Sequence, residues 1–378
     1  MAQSAAKDLE AWMPRLVRAW RNRTRQKGGD QLNAQELDQV AAGVKRLSHG
    51  LTRERELAGA RYMDDPQLLA AYLFFFWPVS YAQARSALGE LNRPRRVLDL
   101  GSGPGPVAFA ALDAGASEVT CAERSAPALD LARALAVEAE VGLSTRDWSA
   151  DKPLPPGPFD LITLGHVVNE LHGVGPDAIA KRAAFLAQVA RNLTPSGTLL
   201  VLEPALRETS RALLEVRDVL VAQGFAVRAP CLFKGPCPAL VKPSDWCHAE
   251  RSWTKPGLVD ALARRTNLHK DALKMSYLAL AAPKVAWPEP PAGRVFRIVS
   301  EPLEGKGRQR LMGCGPEGRL GLALQDKHRT AANQAFFSLE RGAVVRLDHT
   351  EPKGDGVALD DRTTVEVLAR AGQAVTGP

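Results

Sequence analysis

Residues 97–105 read VLDLGSGPG, and the fold turns on them. Four residues of strand character, Val97 to Leu100, run straight into glycines at 101, 103 and 105. Glycine lets a backbone approach a ligand with no Cβ in the way. The helix expected next offers unpaired N–H groups to an anionic ligand. A dinucleotide fingerprint would continue to a third spaced glycine, but Pro106 follows Gly105.

Outward from this loop, short β-rich runs alternate with Ala- and Leu-rich helical stretches. RRVLDL (95–100), SEVTCAE (117–123), VGLSTRD (141–147), FDLITLG (159–165) and GTLLVLEP (197–204) are the strands, and the alternation predicts a parallel α/β sheet. Glu123 closes the second strand, where a carboxylate meets the hydroxyls of a ribose lacking a 2′-phosphate. Asp147 closes the third and can accept from an adenine amino group. An Asp-containing strand, G-S-G-P-G, Glu123 and Asp147 together resemble the class I S-adenosylmethionine-dependent methyltransferases over residues 95 to 282. That resemblance implies a Rossmann-like core in which Asp99, Gly101, Gly103, Gly105, Glu123 and Asp147 bind S-adenosyl-L-methionine. The catalytic residue stays unknown. The stretch after the fourth strand, LGHVVNELHG, lacks an Asn/Asp-Pro-Pro-aromatic motif, and no cysteine nucleophile for pyrimidine C5 methylation stands out. His166, Asn169 and His172 lie near the expected mouth as bases, acceptor ligands or ordinary capping residues.

A chain of 378 residues carries two or three domains. Hydrophobic residues at 45% and charged residues at 24% exclude a disordered or fibrous chain. The start has no apolar h-region and carries Asp8 and Glu10, so no secretory signal is expected. The most apolar run, LLAAYLFFFWPVSYA (68–82), is too short to span a bilayer and contains Pro78. The expected location is cytoplasmic, with no membrane contact. A formal net charge of +7 fits either a polyanionic partner or solubility.

Residues 1–92 read as a helical region. In NAQELDQVAAGVKRL, Asn33 caps a helix with Glu36 three residues on. Residues 93–282 are the Rossmann-like domain, ending in a helix, KPGLVDALARR (255–265), and a last strand, KMSYLALAA (274–282). PKVAWPEPPAG (283–293) is a linker. Residues 293–350 form a small β domain with a hairpin around PEG (316–318), and 351–378 is read as a loosely ordered tail.

Three of the five cysteines, Cys231, Cys237 and Cys247, fall within the segment 230–255. In a reducing compartment such clustering points to metal or catalysis rather than disulfides. Three soft ligands favour zinc or an iron–sulfur cluster. The C-x₅-C-x₉-C spacing lacks a zinc knuckle, and Pro238 after Cys237 is shared with some cluster-binding runs. Cys314, between glycines in MGCGPEG, and His248 compete as fourth ligand, while Cys121 reads as a packed strand residue. A radical S-adenosylmethionine enzyme would need three close cysteines, which this spacing does not give.

SHGLTRERELAGARYMDDPQLLAAYL (48–73), VLDLGSGPG and CPALVKPSDWCHAERSW (237–253) resemble the methyltransferase-like assembly factors of the mitochondrial small ribosomal subunit. This is the Rsm-type family, here in its bacterial branch, and the resemblance covers residues 45 to 347. It implies a cysteine-rich insertion holding a 4Fe–4S cluster on Cys231, Cys237, Cys247 and Cys314, and an OB-like C-terminal domain. The implied partner is the small ribosomal subunit and its rRNA, bound by a protein monomeric when free. Two functions follow as expectations: methylation or assembly on that subunit, or a non-catalytic assembly factor using the methyltransferase fold as scaffold.

Overall fold

In the computed structural model, residues 2–289, 291–354 and 356–375 are described. The N-terminal region is helical: α1 (Ala2–Thr24), α2 (Ala34–Thr52), α3 (Pro66–Ala71), one π-helical turn over Tyr72–Phe76, and α4 (Trp77–Leu88). The capping box forms as read: Asn33 accepts from the Glu36 N–H, and Glu36 accepts from the Asn33 N–H. The apolar run 68–82 does not span anything; it is core. Trp77 and Phe75 are fully buried, and Trp12 of α1 packs at a tilt against Trp77 and Phe109. Among the described residues no helix is long and apolar enough to cross a membrane.

The central domain alternates β1 (Arg96–Leu100), α5 (Pro106–Asp113), β2 (Glu118–Glu123), α6 (Ala126–Glu138), β3 (Ser144–Asp147), β4 (Phe159–Gly165), α7 (Ala178–Ala190), β5 (Leu193–Pro204) and α8 (Arg207–Ala222). Then come β6 (Val227–Ala229), β7 (Ala249–Ser252), α9 (Gly257–Thr266) and β8 (Ala272–Ala281). The sheet order is β3-β2-β1-β4-β5-β8-β6. Neighbours from β3 to β5 are parallel, whereas β8 enters antiparallel to β5. An antiparallel strand after the fifth separates this sheet from the all-parallel dinucleotide order. It is a class I methyltransferase-like α/β fold. The sheet is apolar on both faces because helices cover both, so β1, β4 and the part of β5 from Gly197 to Glu203 are largely buried.

One detail of this sheet positions the thiols. Both β6 and β7 pair with β8, β6 at Leu280 and Ala279 and β7 from Met275 to Ala272. They lie end to end along one edge, and residues 230–248 are the loop thrown out between them.

The second sheet has eight strands: β9 (Arg294–Ile298), β10 (Leu303–Gly305), β11 (Arg308–Gly315), β12 (Gly318–Gln325), β13 (Val344–Asp348), β14 (Glu351–Lys353), β15 (Gly356–Leu359) and β16 (Thr364–Ala369). Their order is β14-β15-β12-β11-β9-β13-β16, with β10 on β11. The hairpin at 316–318 forms as expected, with Gly315 opposite Gly318. The expected loose tail is a correction: residues 351–369 supply three strands, and Val357, Leu359 and Val365 enter the domain core beside Phe296 and Phe336. Eight strands also exceed the five of an OB barrel.

A buried ionic hub ties the two sheets together. Glu90, just past α4, accepts from Tyr277 Oη at 2.8 Å and pairs with Arg251 at 3.1 Å and Arg297 at 2.9 Å.

Candidate cofactor crevice and cysteine cavity

The glycine loop sits at the carboxyl end of β1, where the strand order reverses between β1 and β4. In open α/β sheets ligands bind at this switch point. Asp99 is buried and accepts from Thr163 Oγ1 at 2.7 Å and the Ala108 N–H at 3.1 Å. It fastens β1 to β4 and to the first turn of α5, and burial pushes its carboxyl up to about 7. Gly101 and Gly103 have φ of +66° and +52°, a region that side-chain-bearing residues pay to enter. Gly105, also left-handed, precedes Pro106 at the start of α5.

Glu123 lies at the end of β2 as the sequence places it, 8% exposed. One carboxylate oxygen accepts from the Gly103 N–H at 3.0 Å, the other from the Arg124 and Ser125 N–H groups at 2.7 and 2.9 Å. It therefore shapes the loop as well as facing the crevice. Asp147 is opposite Glu123 in the β2–β3 register, but it is exposed on the rim and pairs with Lys152 Nζ at 2.8 Å.

What covers this crevice has no signal in the amino-acid sequence. Residues 53–65 cross its mouth. Arg55 Nη2 donates to Asn169 Oδ1 at 2.8 Å, the Gly59 N–H donates to Glu170 at 3.0 Å, and Arg124 donates to the Gly59 and Ala60 carbonyls. A Cβ placed on Gly103 would come within 2.9 Å of Met63 Cε, and one on Gly101 within 2.5 Å of Val167 Cγ2. Of the polar residues after β4, His166 and His172 have left-handed backbones. His166 Nε2 faces Gln83 Oε1 at 3.0 Å, and the Gln83 amide donates to the Lys274 carbonyl. Burial and Lys270 pull its imidazole down to about 4. The Asn169 N–H donates to Glu203 at 3.3 Å. Burial pushes Glu203 up to about 8.

The four cysteines 231, 237, 247 and 314 line a single cavity of about 70 Å³ between the two sheets. Three come from the loop joining β6 to β7, and Cys314 comes from β11 of the other domain. The Cys237 N–H is held by Asp218 at 2.8 Å. Burial and the neighbouring Cys231 sulfur push the Cys237 thiol up to about 12, and the same two causes push Cys247 up to about 11. A bound cation would bring such thiols to the thiolate form. Cys121 is apart, fully buried under the glycine loop. His248 also lines the cavity, but its ring is stacked on Trp246 and its Nε2 lies 2.6 Å from Arg341 Nη1.

Among the described residues, no three of these sulfurs lie within 4.8 Å of one another. A single tetrahedral zinc with bonds of about 2.3 Å would draw four sulfurs to roughly 3.8 Å.

A family profile described as mitochondrial small ribosomal subunit Rsm22 matches residues 67–344. No curated protein matches significantly. Among solved structures, the chain is similar to mitomycin 7-O-methyltransferase MmcR, at 14% identity over 65% of this chain and 66% of that one, with a TM-score of 0.38. It is also similar to the CcbJ methyltransferase from Streptomyces caelestis, at 25% identity over 32% of this chain and 48% of that one, TM-score 0.27. A third is a class I S-adenosylmethionine-dependent methyltransferase from Listeria monocytogenes, so described as putative, at 12% identity over 76% and 92%, TM-score 0.38. The chain thus spans less than two thirds of the length of the first two.

Proposed function

We propose, from the premise that this chain belongs to the mitochondrial small ribosomal subunit Rsm22 family, that it binds S-adenosylmethionine, holds a 4Fe–4S cluster and acts on the small ribosomal subunit in the cytoplasm. The action is rRNA methylation or assembly. The observation that carries this reading is the extent of the family match, which runs from α3 through the glycine loop and all four cysteines to β13.

The residues present fit both groups. A half-closed crevice with a left-handed glycine loop and a carboxylate at the end of β2 suits a ribose-bearing ligand. Asp99 holds the loop, Glu123 would accept from the ribose hydroxyls, and Asp147 stands at the rim for the base. S-adenosylmethionine supplies an electrophilic methyl group when bound. Cys231, Cys237, Cys247 and Cys314 would hold the cluster, which cross-links two domains. Four cysteines from two domains around one cavity, without zinc-knuckle spacing, support a cluster over zinc.

Glu123→Ala is expected to weaken S-adenosylhomocysteine binding at least about tenfold. Each charge-assisted bond to a ribose hydroxyl contributes about 1.5–3 kcal/mol, and 1.4 kcal/mol is one decade. Titration calorimetry reads this directly. Tighter binding of NAD, or no binding by the wild type, ends the cofactor assignment.

A second reading, an assembly factor that uses the fold as scaffold, is favoured by one observation: Met63 lies over Gly103, and residues 53–65 latch to both rims. Radiolabelled methyl transfer to small-subunit particles from cells lacking the protein separates the two. Label in RNA supports methylation. Subunit binding without label supports the scaffold.

A further inference from the structure

The cysteine cavity has a second set of groups that neither the glycine loop nor the thiols explain. Arg217 of α8 and Arg251 of β7 line it from the methyltransferase-like domain. Arg297 of β9, Arg319 of β12 and Arg341, just before β13, line it from the β domain. Among the described residues no carboxylate lines it. Their side chains are only 1%, 6%, 9%, 21% and 14% exposed, in that order.

Behind them the counter-charges fall short. Arg251 and Arg297 share Glu90. Arg217 uses Asp218, which is also bound to the Cys237 N–H. Arg319 reaches Asp245 at 3.4 Å, and Arg341 reaches Glu301 at 3.2 Å. Five guanidiniums thus meet four carboxylates, none of which lines the cavity. The Nε atoms of Arg217, Arg251, Arg297 and Arg319 are buried without a hydrogen-bond partner, and Arg341 Nε faces Glu301 without making a hydrogen bond. Like charges gathered in a poorly solvated space repel one another.

We infer that these five arginines form an anion lock between the domains: they favour the docked arrangement when the cavity holds a negatively charged thiolate-bound centre and oppose it when the cavity is empty. The inference rests on the proposed cluster, whose four thiolates make it anionic. It assigns the arginines a role whose sign depends on occupancy. Ordinary structural arginines would stabilise both forms.

The test replaces Arg319 and Arg341 together by Met. Their partners Asp245 and Glu301 are 41% and 54% exposed, so losing the arginines strands no buried acid. Thermal unfolding is followed for anaerobically purified protein and for protein stripped of metal by a chelator under reductant. The double Met variant should melt several degrees below wild type when loaded and above wild type when stripped. Lys at both positions should restore wild-type behaviour in both forms. A Met variant that melts lower in both forms overturns the inference, as does a Lys variant that shifts as far as Met. If wild-type protein contains neither iron nor sulfide, the cluster reading falls. The stripped comparison then decides the lock alone, because the repulsion needs no metal.

Discussion

Cys314→Ser is expected to remove essentially all iron and acid-labile sulfide from anaerobically purified protein and to loosen the β domain from the rest of the chain. Cys231, Cys237 and Cys247 come from one loop, fixed at both ends by β6 and β7, which both pair with β8. Cys314 is the sole thiol from the second sheet, held in register opposite Arg319 of β12. On the proposed cluster reading, removing it costs a ligand and the cross-link together. A centre bound about 1,000-fold more tightly than its free supply contributes about 4 kcal/mol to the folded state, so its loss should lower the melting temperature well outside error. Limited proteolysis should cut first between β8 and β9. Ser at 231, 237 or 247 should also empty the cavity. Cys121→Ser should retain the centre, because that sulfur lies under the glycine loop near Gly105. Stoichiometric zinc without sulfide, in protein prepared without oxygen, would refute the cluster.

The parts legible in the sequence are those written in contiguous residues. VLDLGSGPG carries its own turn chemistry, and the left-handed φ of Gly101 and Gly103 is what those glycines are for. Glu123 could be placed because strand and helix lengths in such sheets are regular. Cysteines are rare enough that three in one segment are conspicuous. The arginine wall could not be read. Its members lie between residues 217 and 341, and each alone resembles a solvated surface charge until the second sheet docks. Met63 was equally hidden, since an ordinary apolar residue at the end of a loop says nothing of what it covers. The strands beyond 351 were missed for a different reason. EPKGDGVALDDRTTVEVLA is dense in Gly and Asp, and its hydrophobic alternation is confined to two short runs, VAL and VEVL, that need the rest of the sheet to hold them.

Binding to small-subunit rRNA is expected to fall steeply with salt, and replacing Lys306, Arg308 and Arg310 by Ala should flatten that dependence. Residues 294–346 hold ten Arg or Lys against five Asp or Glu, and residues 1–55 hold eleven against six. The two groups lie in different regions of the chain, flanking the glycine-loop fold in sequence. In β11, Gln309 and Leu311 point into the core while Arg308 and Arg310 are exposed. By strand alternation Met312 and Cys314 share the face of those arginines, and Lys306 is exposed in the turn before them. One face of one strand therefore runs from open basic surface to the cysteine cavity. Each phosphate contact released changes the slope of log affinity against log salt by roughly 0.7–0.9, so the triple Ala variant should lose about 2–3 units of slope. Its iron content should match wild type, because none of the three side chains reaches the cavity lining. Cys314→Ser should weaken binding by another route, since a loosened domain presents its basic face without fixed orientation. That loss should appear at all salt concentrations with less change of slope. A triple variant with wild-type slope, or a wild-type protein that ignores small-subunit particles at low salt, would show that this face meets solvent only.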